Sequence, residues 1–249
     1  MNKPDIRNIS EETLLDFLIQ NNEKPFRLKQ LNKWLWHQFV WSFDEMKNLP
    51  KPFIEKLKTT FELTFCTVIK IQTSTDGTIK AAFKLFDEEV IEGVIISENE
   101  RLTACLSTQV GCPMKCNFCA TAQLGFKRNL TAAEIMAHFI LLNTKSIEVF
   151  GKSLTNVVLM GMGEPLLNYD NVSQFVKKIN DADGFNFSAK RITLSTVGIV
   201  DGIKRLADEN LRIKLALSLH AVNNEVRNNI IPYNKQNGID ALIKTLEYY

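Results

Sequence analysis

The sequence predicts an α/β protein in which a parallel sheet or partial barrel follows a small helical domain and a β-hairpin region. Strand-like and helix-like segments alternate from Leu102 onward, apolar residues recur at helical spacing near the amino terminus, and β-branched residues alternate between residues 63 and 96. Composition also shifts, because all three tryptophans lie in the first fifth of the chain and ten of the eleven glycines follow residue 90. We therefore expect a helical accessory domain over residues 1–62, a β-rich connecting region over 63–98 and an α/β core over 99–249.

The composition excludes several classes of protein. The 249 residues are 45% hydrophobic and 23% charged, which is typical of a globular chain rather than a disordered, collagen-like or coiled-coil one. The net charge of +2 indicates no global field for nucleic acid or membrane. The polar start and the short apolar runs exclude a signal peptide and a membrane span, and five cysteines argue against a secreted disulfide framework. These features predict a cytosolic protein without a membrane partner.

The first 98 residues are expected to contain helices and then a hairpin. Apolar spacing predicts helices over residues 11–20, 27–40 and 49–61. Trp34 shares a helical stripe with Leu31 and Leu35, so two of the tryptophans, Trp34 among them, are expected in the core rather than stacked on RNA bases. Asp76 and Gly77 predict a hairpin turn.

The core is expected to contain repeated β-α units. Strands are predicted over residues 102–108, 156–160, 191–195 and 212–219, and helices over 132–143, 171–181, 198–208 and 237–248. This order indicates a parallel sheet or barrel, whose ligand site lies at the carboxyl ends of the strands.

Three cysteines lie within eight residues, directly after a predicted strand. Cys112, Cys116 and Cys119 form a CxxxCxxC motif, and thiolates suit zinc or an iron–sulfur cluster. Three ligands leave one iron of a four-iron cluster open to a substrate. The alternative is a structural zinc site whose fourth ligand is Cys105, Cys66 or a histidine. Structural zinc normally uses paired CxxC motifs, so the single motif favours a catalytic cluster.

Three further segments fall at the predicted carboxyl ends of strands. They are residues 161–165 (GMGEP), 193–196 (TLST) and 218–220 (SLH). Glycines permit close backbone approach to a ligand, and Glu164 offers an acceptor for an ammonium group. Hydroxyls and an imidazole can bind a carboxylate or a ribose. The alternatives are an ordinary Gly-Pro turn and helix N-caps.

The CxxxCxxC motif on such a loop resembles that of the radical S-adenosylmethionine (SAM) enzymes. A narrower resemblance is to the RNA methyltransferase family RlmN, which modifies C2 of adenine. It is carried by residues 106–112 (LSTQVGC), 119–122 (CATA), 125–130 (GFKRNL), 161–167 (GMGEPLL), 193–196, 218–221 and 26–30 (FRLKQ), and it covers the chain from about residue 20 to its end. It implies a partial (β/α) barrel of radical SAM type and two cofactors, a 4Fe-4S cluster and SAM. The implied substrates are an adenosine of 23S rRNA and a tRNA adenosine next to the anticodon.

The resemblance also implies roles for single residues. The cluster ligands are Cys112, Cys116 and Cys119, and the SAM contacts are Gly163, Glu164, Ser195, Ser218, Leu219 and His220. Cys105 matches the catalytic cysteine that resolves a covalent RNA adduct, and Glu92 matches the general base. A flavodoxin-like electron donor and a disulfide bond are implied as well, the latter without a stated pair.

Other interpretations of these residues stay open. Cys105 is alternatively a small buried hydrophobe, although a positioned thiol can act as a base. Glu92 by itself is typical of a solvent-facing strand residue. Lys127 and Arg128 follow the cluster motif and are candidates for phosphate contacts, together with helical-region lysines 29, 33, 47 and 51, but charged helix residues commonly form only a solvated face.

The sequence departs from the family pattern in two ways. The family methylates a second cysteine near its carboxyl terminus, and this sequence has no cysteine after Cys119. Four β-α units are also fewer than the barrel of about six that the superfamily uses, which leaves the last strand with an unpaired edge. We therefore expect a truncated chain that binds the cluster without completing methyl transfer. The alternatives are a sister family that methylates C8 and a non-catalytic, zinc-stabilised RNA-binding module, and the oligomeric state stays open.

Overall fold

The computed structural model describes residues 3–249, which pack as two units. The first contains the residues up to Phe65 together with Lys178–Phe187, and the second contains Cys66–Lys177 and Ser188–Tyr249. Helices dominate the first unit, and the second combines a sheet with helices, as the sequence predicts for an α/β chain. The strands expected between residues 63 and 98 belong to the second unit.

The first unit contains three α-helices and shorter helical turns. The helices are α1 (Glu11–Gln20), α2 (Arg27–Asn32) and α3 (Lys51–Thr60), and short 3₁₀ turns cover Ile6–Asn8 and Phe43–Glu45. Helix α1 begins where the Ser10 side chain accepts a hydrogen bond from the Thr13 N–H (3.1 Å). Leu14 and Leu18 of α1 and Leu57 of α3 are buried, which gives the unit an apolar core of its own.

A π-helical turn changes the face that α2 presents. Residues Lys33–His37 continue α2 with five-residue spacing, seen where the Gln38 N–H bonds the Lys33 carbonyl (2.9 Å). The extra residue per turn rotates the side chains, so Trp36 is buried, whereas Trp34 is half-buried and donates its Nε1–H to Asn48 (2.6 Å). The expectation that Trp34 packs in the core is therefore wrong.

A buried arginine ties the first unit together. The guanidinium of Arg7 donates to the backbone carbonyls of Leu35 (3.3 Å), Thr64 (3.3 Å) and Val40. Burial lowers the pKa of Arg7 to about 10, which still leaves it charged at neutral pH. Arg7 thus satisfies three backbone carbonyl groups that lie far from it in the chain.

The second unit contains a mixed seven-stranded sheet and a separate strand pair. The strands are β1 (Thr67–Thr73), β2 (Ile79–Lys84), β3 (Val90–Glu98), β4 (Arg101–Cys105), β5 (Gln109–Gly111), β6 (Phe126–Asn129), β7 (Asn156–Leu159), β8 (Ile192–Thr196) and β9 (Lys214–Leu217). The sheet order is β1-β2-β3-β4-β7-β8-β9, and β5 pairs with β6. Strands β1 to β4 are antiparallel, whereas β4, β7, β8 and β9 are parallel. Strand β9 lies at one edge of the sheet, as expected.

Six helices accompany these strands among the described residues. They are α4 (Ala120–Gln123), α5 (Ala132–Phe150), α6 (Tyr169–Asn180), α7 (Val200–Glu209), α8 (Asn224–Ile230) and α9 (Asn234–Tyr248). Helix α5 packs on β3 and β4; it begins with a capping box between Thr131 and Glu134 and ends at Gly151, which has a φ of 68°. Helix α9 bends at Gly238. The sequence patterns predicted neither α8 nor the β5–β6 pair, since both are too short for a clear period.

The register places the predicted functional residues on the sheet face opposite α5. Val94 pairs with Cys105, and the side chains of paired residues lie on the same face of the sheet. Glu92 lies two residues before Val94 in β3, so its side chain is on that face as well. The register of β4, β7, β8 and β9, with side chains alternating between faces along each strand, places Ser195 and Ser218 on this face as well. We call it the open face, because helix α5 covers only the other one.

Within residues 3–249, the apolar length needed to cross a bilayer is not reached by any helix.

The opposite face buries a histidine without hydrogen-bond partners. Both ring nitrogens of His138 in α5 lack a partner among the described residues, and the ring lies 4.5 Å from that of Phe83. Burial lowers the pKa of His138 to about 3. In the unfolded chain His138 has its ordinary pKa of about 6.5, so between pH 6.5 and pH 3 the unfolded chain binds a proton at His138 that the folded chain does not bind. His138 therefore favours the folded state above pH 6.5, and this contribution is lost as the pH falls toward 3.

We expect the free energy of unfolding to fall by about 1.4 kcal/mol per pH unit through His138 between roughly pH 6 and pH 4. Urea unfolding at several pH values measures this slope. His138→Leu is the control, because it removes the titrating group and leaves the carboxylates. Equal slopes for the natural chain and the variant would contradict the assignment.

Candidate active site

A cavity of about 300 Å³ lies at the carboxyl ends of the parallel strands. Eight of the eleven residues predicted for the site line it: Cys112, Cys116, Cys119, Gly163, Glu164, Ser195, Ser218 and His220. Leu219 lies between two of them in the chain and is partly exposed. Cys105 and Glu92 do not line the cavity. The site thus combines a cysteine loop after β5 with the ends of β7, β8 and β9.

Backbone hydrogen bonds hold the cysteine loop. The Cys112 N–H donates to the carbonyl of Gly125 (3.0 Å), and the Asn117 N–H donates to that of Ile230 in α8 (3.0 Å). Lys115 adopts a left-handed φ of 55°, which turns the chain sharply between two cysteines. Burial raises the pKa of Cys112 to about 11 and also raises that of Cys116. These thiols keep their protons at neutral pH until a metal replaces them.

The three thiols have the donor chemistry of an iron–sulfur cluster or a zinc ion. They line one cavity, and soft sulfur donors are the ligands of both. However, across residues 3–249, His, Cys, Asp and Glu side chains nowhere converge in threes closely enough to hold one metal ion. A four-iron cluster is a larger body, so its ligands lie farther apart than those of one ion. All five cysteines are free, so the expected disulfide bond is not supported.

Glu164 is a buried carboxylate at the end of β7. It is 2% exposed, and its oxygens accept hydrogen bonds from the N–H groups of Val197 (2.8 Å) and Leu166 (3.1 Å). Burial raises the pKa of Glu164 to about 7 against the opposing effect of these bonds. A cation beside Glu164 would therefore stabilise its ionised form, which makes it a suitable acceptor for an ammonium group.

The glycines of this segment make room for the chain itself. A Cβ atom on Gly161 would lie 2.7 Å from the backbone of Leu106, and one on Gly163, whose φ is 106°, would lie 2.6 Å from the Gln109 side chain. The close approach expected at these glycines is thus between the segment after β7 and two residues of this chain, Leu106 after β4 and Gln109 at the start of β5. Glycine is required there for packing, whatever the ligand.

Side chains at the ends of β8 and β9 meet across the cavity wall. The hydroxyl oxygens of Ser195 and Ser218 lie 3.2 Å apart. His220 has a left-handed φ of 55°, and its ring lies 4.6 Å from that of Phe118 in the cysteine loop. Such backbone conformations are uncommon outside glycine and often occur at functional sites.

Cys105 and Glu92 lie on the open face and do not line the cavity. Burial raises the pKa of Cys105 to about 11, and a backbone hydrogen bond from Met160, which lines the cavity, opposes this shift. Glu92 is about half exposed and pairs with Lys80 (2.7 Å). Its carbonyl accepts a hydrogen bond from the Ser107 hydroxyl (2.6 Å). The two residues thus share a face without touching in the structure.

The basic residues after the cysteine motif are already paired. Lys127 bonds Glu89 (2.7 Å), and Arg128 bonds Asp87 (2.6 Å) and the buried Glu134 (2.8 Å). Arg128 therefore supports the start of α5 and is not free for a phosphate, contrary to the expectation from the sequence.

Sequence patterns missed several residues that organise the site. Gln109 accepts the Glu164 N–H (2.8 Å), and the Ser107 hydroxyl accepts the Met162 N–H (2.9 Å). Arg227 of α8 reaches the ends of β8 and β9. Ser107 and Gln109 lie inside a motif already singled out, but no local pattern identifies Arg227.

Family sequence models match both parts of the chain. The Ribosomal RNA large subunit methyltransferase N-terminal domain matches residues 4–63, and the Radical SAM superfamily matches residues 106–249.

Individual proteins match nearly the whole chain. It is 45% identical over 244 residues to a probable dual-specificity RNA methyltransferase RlmN of Cytophaga hutchinsonii, a match that covers 98% of this chain and 67% of the relative. A protein of the same description from Christiangramia forsetii is 44% identical, with 99% and 70% covered. The crystal structure of a radical SAM methyltransferase from Sphaerobacter thermophilus has a TM-score of 0.86 and 38% identity, and covers 98% of this chain and 72% of its own.

Proposed function

Because the chain belongs to the RlmN family of radical SAM RNA methyltransferases, we propose that it serves in the methylation of C2 of an adenosine in 23S rRNA and of the tRNA adenosine next to the anticodon, through a methyl-cysteine intermediate whose cysteine this sequence does not contain. The observation that carries this proposal is the single cavity in which three cysteines face Glu164, Ser195 and Ser218. Thiols and amino-acid-binding groups are thereby brought together at the ligand-binding end of a parallel sheet.

Two different groups of residues in the chain hold the two cofactors. Cys112, Cys116 and Cys119 hold a 4Fe-4S cluster, which together with SAM supplies radical chemistry when bound. Glu164 accepts the ammonium group of SAM, and the Ser195 and Ser218 hydroxyls, with the segment from Ser218 through Leu219 to His220 and the backbone at Gly163, contact the rest of it. The raised pKa of Glu164 supports this role, because a bound ammonium offsets the cost of burying the carboxylate.

Two residues of the open face are proposed to act on the RNA base. Burial raises the pKa of the Cys105 thiol, so it is protonated at neutral pH and must lose that proton before its thiolate can resolve the covalent adduct at the end of the reaction. Glu92 is the general base, and its carboxylate must leave the ion pair with Lys80 before it can contact the substrate. Their common face supports a joint role.

The partners follow from the same assignment. We propose 23S rRNA and tRNA as substrates, a flavodoxin-like protein as the electron donor, and a cytosolic location, where both RNAs are found. Since Arg128 and Lys127 are paired within the chain, exposed lysines of the first unit are better candidates for phosphate contacts.

Nucleoside analysis of cells that lack this protein tests the function. We expect 2-methyladenosine to disappear from both 23S rRNA and tRNA, as measured by mass spectrometry of digested RNA, and to return when the gene is restored. Loss of 8-methyladenosine instead would identify the sister activity. Unchanged RNA would contradict methylation altogether.

A polypeptide of these 249 residues alone is expected to form no 2-methyladenosine in vitro. The reason is chemical: the reaction of the family needs a second cysteine beyond the cluster motif, and this sequence has none after Cys119. Incubation with SAM, a reductant and unmodified RNA measures this directly, and product formation would show that another group replaces that cysteine.

A further inference from the structure

A buried arginine lies behind the cavity without lining it. Arg227 in α8 is 1% exposed, and its guanidinium donates to the backbone carbonyls of Val197 (2.6 Å), Leu219 (3.0 Å) and Ser218 (3.2 Å) and to the side chain of Asn234. A guanidinium is a rigid planar fork of donors, so the acceptors around it are fixed relative to one another. Arg227 thus joins the carboxyl ends of β8 and β9 to helices α8 and α9.

These hydrogen bonds continue into the residues that face the cavity. The backbone of Val197 accepts a hydrogen bond from Arg227 through its carbonyl and donates its N–H to Glu164 (2.8 Å). Ser218 accepts from Arg227 through its carbonyl, while its hydroxyl lies 3.2 Å from that of Ser195. One guanidinium therefore connects side chains from the ends of three strands.

The electrostatic setting of Arg227 also connects it to the site. All its hydrogen-bond partners in the described residues are neutral acceptors. Burial lowers the pKa of Arg227, and its interaction with Cys116 opposes that shift. Burying a cation whose hydrogen-bond partners are all neutral is unfavourable.

We propose that Arg227 is a positioning residue of the SAM site. It holds the ends of β8 and β9 in the arrangement in which Glu164, Ser195 and Ser218 contact SAM, and it touches neither SAM nor RNA itself. This inference rests on the proposed function, because it assumes that the cavity binds SAM.

The variant Arg227→Lys tests the planar geometry of the guanidinium separately from its positive charge. Lysine keeps a positive charge but cannot hold several carbonyls in one plane. We expect the dissociation constant for SAM, measured by equilibrium dialysis on anaerobically reconstituted protein, to rise on the order of 10-fold to 100-fold, with the iron content unchanged. The change that SAM causes in the electron paramagnetic resonance spectrum of the reduced cluster should need correspondingly more SAM.

Arg7→Lys is the matched control. Arg7 is also buried and also donates to three backbone carbonyls, but it belongs to the first unit. We expect it to lower stability to a similar degree while SAM affinity stays within about twofold. Natural SAM affinity in Arg227→Lys, or equal weakening in both variants, would overturn the positioning role. If the natural protein binds no cluster or no SAM, the same measurements contradict the proposed function itself, independently of either variant.

A measurement on the natural protein covers the case in which Arg227→Lys does not fold. Hydrogen exchange followed by mass spectrometry is compared with and without SAM on cluster-loaded protein. We expect SAM to protect the amides of α8 (Asn224–Ile230), which does not line the cavity, together with those of residues 216–220. Protection confined to the strand ends would overturn the proposal.

Discussion

Replacement of Cys116 by alanine is expected to abolish cluster binding. Anaerobic reconstitution of the natural chain should give a brown protein with about four irons and four sulfides, whereas Cys116→Ala should retain less than about one iron. Cys116 lies between the other two cysteines in a loop held by hydrogen bonds to Gly125 and Ile230, and among the described residues no cysteine besides these three lines the cavity. Iron and sulfide analysis with the visible absorption spectrum measures the effect.

Cys66→Ala is the control for this loss. Cys66 is a buried free thiol of the same unit that does not line the cavity, and burial raises its pKa to about 12. It should leave the iron content unchanged. A colourless natural protein with one zinc would instead support the RNA-binding module, and a natural level of iron in Cys116→Ala would show that the loop is not the cluster site.

Substitution of Gly93 by alanine is expected to destabilise the second unit by about 3 kcal/mol. A Cβ atom at Gly93 would lie 2.0 Å from Nε2 of His138 and 3.0 Å from Cδ1 of Leu142. Both side chains are buried between β3 and α5, so neither has space to move away. Urea unfolding followed by circular dichroism measures the loss.

The double variant Gly93→Ala, His138→Ala tests the cause. Removing the ring opens the space that the new methyl group needs, so the double variant should lose less stability than the two single variants added together. Gly77→Ala is a useful comparison, since a Cβ there meets nothing within 4 Å and its cost comes only from a φ of 82°. Additive effects of Gly93→Ala and His138→Ala would rule out the clash.

Local patterns were sufficient for most of the elements and for most of the predicted residues that line the cavity. The apolar spacing of α1, the β-α alternation after Leu102 and the CxxxCxxC motif each depend on residues close together in the chain. Eight predicted residues meet in one cavity for the same reason, because functional side chains at the carboxyl ends of parallel strands must share one edge of the sheet.

Errors occurred where a distant partner or a change of helix type decides the outcome. Trp34 leaves the core because a π-turn rotates α2, and Arg128 is occupied because Glu134 and Asp87 reach it from other elements. Helical spacing assumes a constant period, and a charge in a sequence does not show its partner.

The sequence by itself determined the α/β class, the cysteine loop, the strand-end segments and the family, since these depend on residue types at fixed spacing. Only the tertiary structure decided that Glu92 and Cys105 share the open face, that Gly161 and Gly163 pack against Leu106 and Gln109, and that Arg227 joins β8 to β9. The physical reason is that strand register, close packing and buried hydrogen bonds are set by groups far apart in the chain, which meet only when it folds.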